Sequence, residues 1–297
     1  NVRTLVLVNG RRFVPTTTNG TIDTNVIPSA LVERVDVVTA GASSVYGSDA
    51  VAGVVNLVLK RNLTGIVGDI QAGISSRGDN STYKGSLAWG SAFAGGAGHI
   101  TLAAEGEINK GVLSQASRSW SSRGHGIISN PGYTPTNGQP RQLILPDFQL
   151  ATASLGGLIT TGPLRGTDFG FDGVPRPFTY GQYAANYQIG GSGIQASDYI
   201  ALTVPYDRYS LYAMAEYDFG GVDAFVEVSH ASSTGDGNIT PIFHLGNITI
   251  QPGNAYLPSS LASQVSSSFN MGRYSPDMGY IGTNARNTTD RAVVGLN

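Results

Sequence analysis

The chain has 297 residues, of which 13% are charged, with 40 Gly, 14 Pro, no Cys and a formal net charge of -2. The charged fraction is about half the ~25% of ordinary soluble domains, and the many turn formers point to β structure. Without Cys, disulfide scaffolds, thiolate zinc sites and Cys nucleophiles are excluded, and the near-neutral balance offers no global basic field for nucleic acid.

The first stretch, residues 1–64, is compact in texture. Residues 4–8 read as a buried strand, Asn9 and Gly10 as a tight hairpin turn, and residues 11–14 as the return strand. Residues 15–20 form a polar loop. A short helix is expected from Pro28 to about Val32, and residues 35–38 read as a strand. Residues 41–53 are small and turn-like, and residues 54–59 are a last apolar strand.

From Gly65 the period changes to two. Ile66, Gly68, Ile70, Ala72 and Ile74 alternate with Val67, Asp69, Gln71, Gly73 and Ser75. The pattern resumes over residues 82–93, crosses a Gly-rich turn at residues 95–98, and continues over residues 99–109. Two more strands, residues 209–219 and 222–230, meet at a second short turn, Gly220 and Gly221, and another begins at Arg291. The expectation is one antiparallel meander with Ile70, Leu87, Leu102, Leu211 and Val226 on an apolar face. Asp69, Lys84, Glu105, Glu216 and Glu227 occupy the polar one.

No run reaches the ~18 to 20 apolar residues of a spanning helix, so a membrane role requires a closed barrel. A soluble β-sandwich strand also alternates, but polar groups on one face, aromatics near strand ends, and short turns alternating with long connections (residues 111–207 and 232–290) fit an outer-membrane barrel better. Roughly six strands cannot close a barrel of at least about eight. Both chain ends fall within strand-like patterns. The expectation is therefore that another chain or a continuation of this one supplies the remaining strands and the other half of the N-terminal sheet.

Residues 31–57 carry a long ordered pattern. It comprises Val32-Glu33-Arg34-Val35-Asp36, the turn Gly41-Ala42-Ser43, the pair Tyr46-Gly47, and Ala50 followed by Gly53-Val54-Val55-Asn56. Upstream, Val6-Leu7-Val8-Asn9-Gly10-Arg11-Arg12 forms a strand–turn–strand. Together these resemble the C-terminal plug signature of TonB-dependent outer-membrane receptors.

The resemblance implies a mainly β fold: the C-terminal half of a plug domain (residues 1–64), then the first strands of a transmembrane barrel of about 22 strands (residues 65–297). Residues 111–207 and 232–290 would be extracellular loops. It implies active uptake of a scarce nutrient (an iron chelate, cobalamin or an oligosaccharide) across the bacterial outer membrane. The lipid membrane, a small ligand and the TonB energy-coupling complex would be partners, the last through an N-terminal region outside this sequence. The alternative is a passive porin-like or adhesive barrel, which has no reason to carry the signature.

Where many members have Arg followed by Gly-Pro, this chain has Thr39, Ala40 and Gly41. In those members the Arg helps lock plug to wall. Arg34 paired with Glu105 or Glu107 is one substitute; a solvated or locally paired Arg34 is the other reading.

By analogy with family loops at the plug apex, Thr16, Thr17, Thr18 and Asn19 are candidate ligand contacts, although such residues also make good loops. Residues 111–207 hold many aromatics, Tyr180, Tyr183 and Tyr187 among them, suited either to stacking on a ligand or to a small core of the loop's own. An enzyme acting on polysaccharide would need converging carboxylates. Glu105 and Glu107 share a face, but an inward polar strand explains them. The four histidines lack ligand spacing, and Asp168 with Asp172 lacks the rest of a calcium loop. No catalytic residue, metal or cofactor is assigned.

Overall fold

The computed structural model describes residues 3–17, 20–39 and 41–296, without the side chains of residues 236, 238, 239 and 283. The chain divides into two units. The first comprises residues 3–111, 205–236 and 284–296; the second comprises residues 112–204 and 237–283.

The first unit opens with β1 (Thr4–Val8) and β2 (Arg11–Arg12). Asn9 and Gly10 both have positive φ, 51° and 75°, as a two-residue type I′ hairpin requires. Next come β3 (Val32–Thr39) and β4 (Gly53–Leu59), giving a four-stranded sheet in the order β2-β1-β4-β3. β1 pairs with β4 in parallel, Leu5 opposite Val54 and Leu7 opposite Asn56. Two Asn side chains brace this junction: Leu59 N–H donates to Asn9 Oδ1 (2.8 Å), and Gly10 N–H donates to Asn56 Oδ1 (2.9 Å). The expected helix after Pro28 is a single 3-10 turn, Ser29–Leu31. The expected small-residue segment holds a four-residue helix, Ser43–Tyr46, and a 3-10 turn, Ser48–Ala50.

A meander follows. β5 (Gly65–Gly73), β6 (Thr82–Phe93) and β7 (Gly98–Asn109) pair antiparallel in sequence order. β7 then pairs with the strand Tyr206–Asp218, and that strand with Asp223–Ile250. The strand Phe269–Leu296 lies next in the sheet.

Directly opposed residues share a face, so the register assigns the faces. Asp69, Ser86, Glu105, Ser210 and Ala231 form one row, and Gly68, Leu87, Ala104, Leu211 and His230 form the next. By the same registers Ile70, Leu102 and Val226 share the face of Leu87, and Lys84, Glu216 and Glu227 the face of Glu105. The two sets predicted from the period of two lie on opposite faces.

The polar face receives the N-terminal sheet. Val8, Phe13, Ile27, Leu31, Leu57, Leu59 and Leu63 cluster with Ala88, Ala103, Tyr212 and Met214 of the meander. Each fully buried Leu or Val there contributes roughly 1.5–3 kcal/mol. Small wall residues allow close approach: a Cβ at Gly90 would lie 2.0 Å from the Leu63 carbonyl oxygen. The other face keeps Ile70, Leu87 and Leu102 exposed. Among the described residues no helix is long and apolar enough to cross a membrane.

Several boundaries depart from expectation. β5 ends at Gly73 although the alternation continues to Ser75. The strand expected to stop at His230 continues to Ile250, and its neighbour begins at Phe269 rather than Arg291. The connection expected over residues 232–290 thus shrinks to residues 251–268. Residues 231–250 mix polar and apolar side chains on both faces and include Pro241, so they lack the one-sided apolar alternation that marks a strand locally. Pairing of two strands of 28 residues supplies their backbone partners instead.

The second unit is not a structureless connection. Phe148–Leu150, Tyr187–Gly191 and Tyr180–Ala184 form a three-stranded sheet in that order. Gly126–Ser129 pairs with Gln142–Leu145. Leu158–Ile159, Thr167–Phe169 and Pro175–Pro177 pair in succession, with Leu158 opposite Gly272 of the long strand. Two small cores form, one around Leu150, Ala153, Ile194 and Tyr274, the other around Ile159, Leu164, Phe169 and Phe269.

Candidate functional site

Three carboxylates on the polar face of the meander are almost fully buried: Glu105 (6% exposed), Glu107 (8%) and Glu227 (1%). A buried carboxylate must be paired and hydrogen-bonded to be tolerated, and each of these is.

Glu105 meets the N-terminal segment. Its Oε2 accepts from Ser29 N–H (2.8 Å) and Ser29 Oγ–H (2.5 Å), and Lys84 Nζ lies 3.0 Å from Oε1. Lys84 Nζ also donates to Ser29 Oγ (3.1 Å). The 3-10 turn that carries Ser29 is thereby clamped between an anion and a cation of the wall.

Glu107 stays within the wall. It accepts from Tyr206 Oη–H (2.6 Å) and from the Arg208 guanidinium, with Nε at 3.1 Å. As a contact between N-terminal domain and wall, Glu107 is corrected: its oxygens are occupied by the neighbouring strand. Of the two readings of Arg34, the structure shows the local pairing. Arg34 pairs with Asp36 (3.2 Å) and Glu33 (3.9 Å) and is exposed. β3 is the outermost strand of its sheet, and Arg34 borders an open cleft with Glu33, Asn56 and Lys60.

The cross-domain ion contact is made by other residues. Arg11, just after the Asn9–Gly10 turn, pairs with Glu227 of the wall, whose other oxygen takes Arg291 Nη1 at 3.2 Å. Two aromatics complete it: the Arg11 guanidinium lies 4.7 Å from the Phe225 ring centroid, and that of Arg291 lies 5.0 Å from Phe13. Each domain thus provides one Arg and one Phe around a single wall carboxylate. Sequence reading placed Glu227 on the polar face but did not single out Arg11, Phe13 or Arg291. The available signal was an Arg pair in a strand–turn–strand motif opposite a polar strand face.

Of the predicted loop contacts, Thr18 and Asn19 lie outside the described residues. Thr16 and Thr17 spend their hydroxyls on closing their own loop. Asp23 N–H donates to Thr16 Oγ1 (2.6 Å), and the Thr17 and Thr21 hydroxyls are 2.6 Å apart. Both Thr residues also line a narrow crevice with Asn25, Arg208 and Ser232.

The three tyrosines separate. Tyr180 and Tyr183 stack (centroids 5.2 Å apart, 27°) beneath Arg165, which donates to Tyr183 Oη at 2.8 Å. Burial, followed by the neighbouring Tyr183, pushes the Tyr180 phenol above its ordinary range. Tyr187 instead stacks on Phe148 (4.5 Å, 20°) and packs against the core of Leu150 and Ile194. Among the described residues no group of three or more His, Cys, Asp or Glu could hold a metal ion.

A four-stranded domain is seated on the polar face of an antiparallel meander by the Arg11–Glu227 ion pair and the Ser29–Glu105 hydrogen bonds, the arrangement of a plug followed by barrel-type strands. Residues 1–54 match the family described as TonB-dependent Receptor Plug Domain.

Solved structures similar to it include a mutant of the ferric enterobactin receptor of Pseudomonas aeruginosa in complex with enterobactin. The identity is 13%, over 99% of this chain and 39% of that one, with a TM-score of 0.37. Another is the siderophore receptor PirA of Acinetobacter baumannii: 14% identity, over 80% of this chain and 33% of that one, with a TM-score of 0.35. This chain therefore spans less than two thirds of the length of either.

Proposed function

We propose that the chain is the plug and first barrel strands of a TonB-dependent transporter in the bacterial outer membrane. It takes up a scarce nutrient, and residues 1–64 act as plug and 65–297 as barrel strands with extracellular loops. The observation that carries this reading is the seating of the plug through Arg11, Glu227 and Arg291. A passive pore has no use for a domain held against its polar face. The apolar face of the meander, with Ile70, Leu87 and Leu102 exposed, faces lipid. The outer edge of β5 and that of residues 284–296 pair with further strands, because an unpaired edge in lipid leaves costly backbone groups unsatisfied. The experiment compares ligand accumulation by cells carrying the full receptor with and without TonB. Accumulation should collapse without TonB while surface capture persists. Equal accumulation in both strains would favour the passive barrel.

A further inference from the structure

We propose that Met278 of the second unit is a site of reversible oxidation by hydroperoxides, and that Arg273 directs the incoming oxygen to one side of its sulfur. Oxidation at this site is independent of the uptake reading.

The chain holds three Met and no Cys to compete for an oxidant. The surroundings of the three differ. Met214 is 3% exposed in the core between the N-terminal sheet and the meander, where Tyr212 Oη–H donates to its sulfur (3.6 Å). Met271 is half-buried against the core of Ile159, Phe169 and Phe269. Met278 is 64% exposed. Oxidation of a thioether needs a peroxide oxygen in line with a sulfur lone pair, so a sulfur closed in by packing reacts slowly and an open one fast. The product, methionine sulfoxide, is polar and disrupts a core, because its oxygen is buried without a partner. At an exposed position it remains in water. Met278 can therefore take up oxygen without loss of fold, and Met214 cannot.

Exposure alone would let oxygen add from either side of the sulfur, and Arg273 makes the two sides unequal. Arg273 Nε–H donates to the Leu155 carbonyl oxygen (3.2 Å), and its Nη2 pairs with Asp277 (2.6 Å). The guanidinium is thus fixed at two points, and its Nη1–H donates to Met278 Sδ (3.3 Å). A thioether sulfur is a weak acceptor with two lone pairs. The guanidinium covers one of them, and the peroxide meets the other. In the reaction that lone pair forms a bond to one peroxide oxygen as the O–O bond breaks. The second oxygen leaves with the electron pair and takes up the proton shed by the first. It departs as water from hydrogen peroxide, or as an alcohol from an alkyl hydroperoxide. Sulfur is oxidised by two electrons and the peroxide is reduced by two. The sulfur carries two different carbon substituents, so the sulfoxide is a stereocentre and attack from one side yields one epimer. Each epimer is reduced back to Met by its own class of sulfoxide reductase.

The test uses the full-length receptor in detergent, treated with limiting hydrogen peroxide and digested for peptide mass mapping. Met278 should gain one oxygen about tenfold faster than Met214, and ahead of Met271. Reductases specific for each epimer should then differ, one removing most of that oxygen and the other little. Arg273→Ala should bring the two epimers toward equal amounts. Arg273→Ala also removes the Leu155 bond. Asp277→Asn, which weakens only one anchor of the guanidinium, is therefore tested beside it and should shift the ratio the same way. Met278→Leu should abolish the early oxygen uptake. In urea the three Met should react alike, and Met278 should give both epimers in near-equal amounts. The proposal is overturned if Met278 reacts no faster than Met214 or Met271, or if its two epimers form equally in the folded receptor. It is also overturned if the ratio is unchanged in both Arg273→Ala and Asp277→Asn, or if the preference survives in urea.

Discussion

Glu227 is the residue on which the plug contact turns. It is buried and shared by two guanidinium groups, one from each domain. Removing one partner of a buried ion set leaves the others uncompensated, at a cost of about 3–5 kcal/mol. Glu227→Ala should therefore loosen the plug, and limited proteolysis of the purified receptor should cleave residues 1–64 faster than in the parent. Arg34→Ala removes only exposed local pairs, for which about 0.2–1 kcal/mol is typical. It should leave the cleavage rate unchanged. Equal protection of the Glu227→Ala and parent plugs would show that apolar packing alone seats the domain. Asn56 shows how a motif residue acquires its physical meaning: its side chain caps the Asn9–Gly10 turn across the parallel β1–β4 pair. The carboxamide is evident in the sequence, but its partner is 46 residues away.

At the scale of elements, the alternation in β6, β7 and Tyr206–Asp218 decides which face meets the plug. In β7, Thr101, Ala103, Glu105, Glu107 and Asn109 are buried, while Leu102 and Ile108 stand exposed on the other side. A charge at a lipid-facing position of a barrel costs about 2–4 kcal/mol at the membrane midplane and little near its edges. Leu102→Arg should lower folding yield into bilayers, read as the fraction of heat-modifiable barrel in a urea titration. Gln71→Lys, on the plug-side face of β5, should fold as the parent does. Equal losses for the two variants would contradict the lipid assignment. The same alternation explains why strands with a one-sided apolar pattern were legible to within a few residues. Residues 231–250 and 269–290 were not, since Pro241 and Pro276 and polar residues on both faces look like loop when read locally.

For the whole molecule, the uptake proposed above requires the N-terminal domain to move or reshape against the meander, and the Ser29–Glu105 contact is a place to stop it. The chain has no Cys, so Ser29→Cys with Glu105→Cys gives a clean pair for a short cleavable bis-thiol linker. Cross-linked cells should bind ligand at the surface but not accumulate it, and cleaving the linker should restore accumulation. Undiminished accumulation by the linked receptor would rule out movement at this contact. Read alone, the sequence determined the β class, the period-two faces, the plug signature and the absence of Cys, because these depend on residue type and short spacings. Only the tertiary structure decided that Arg11 rather than Arg34 reaches a wall carboxylate, that Glu107 turns to Arg208, that Tyr187 serves a core, and that residues 112–204 fold on short strands of their own. Each of those outcomes is a contact between residues far apart in the chain. Which buried charge meets which partner is fixed by strand order and register, and no local pattern encodes them.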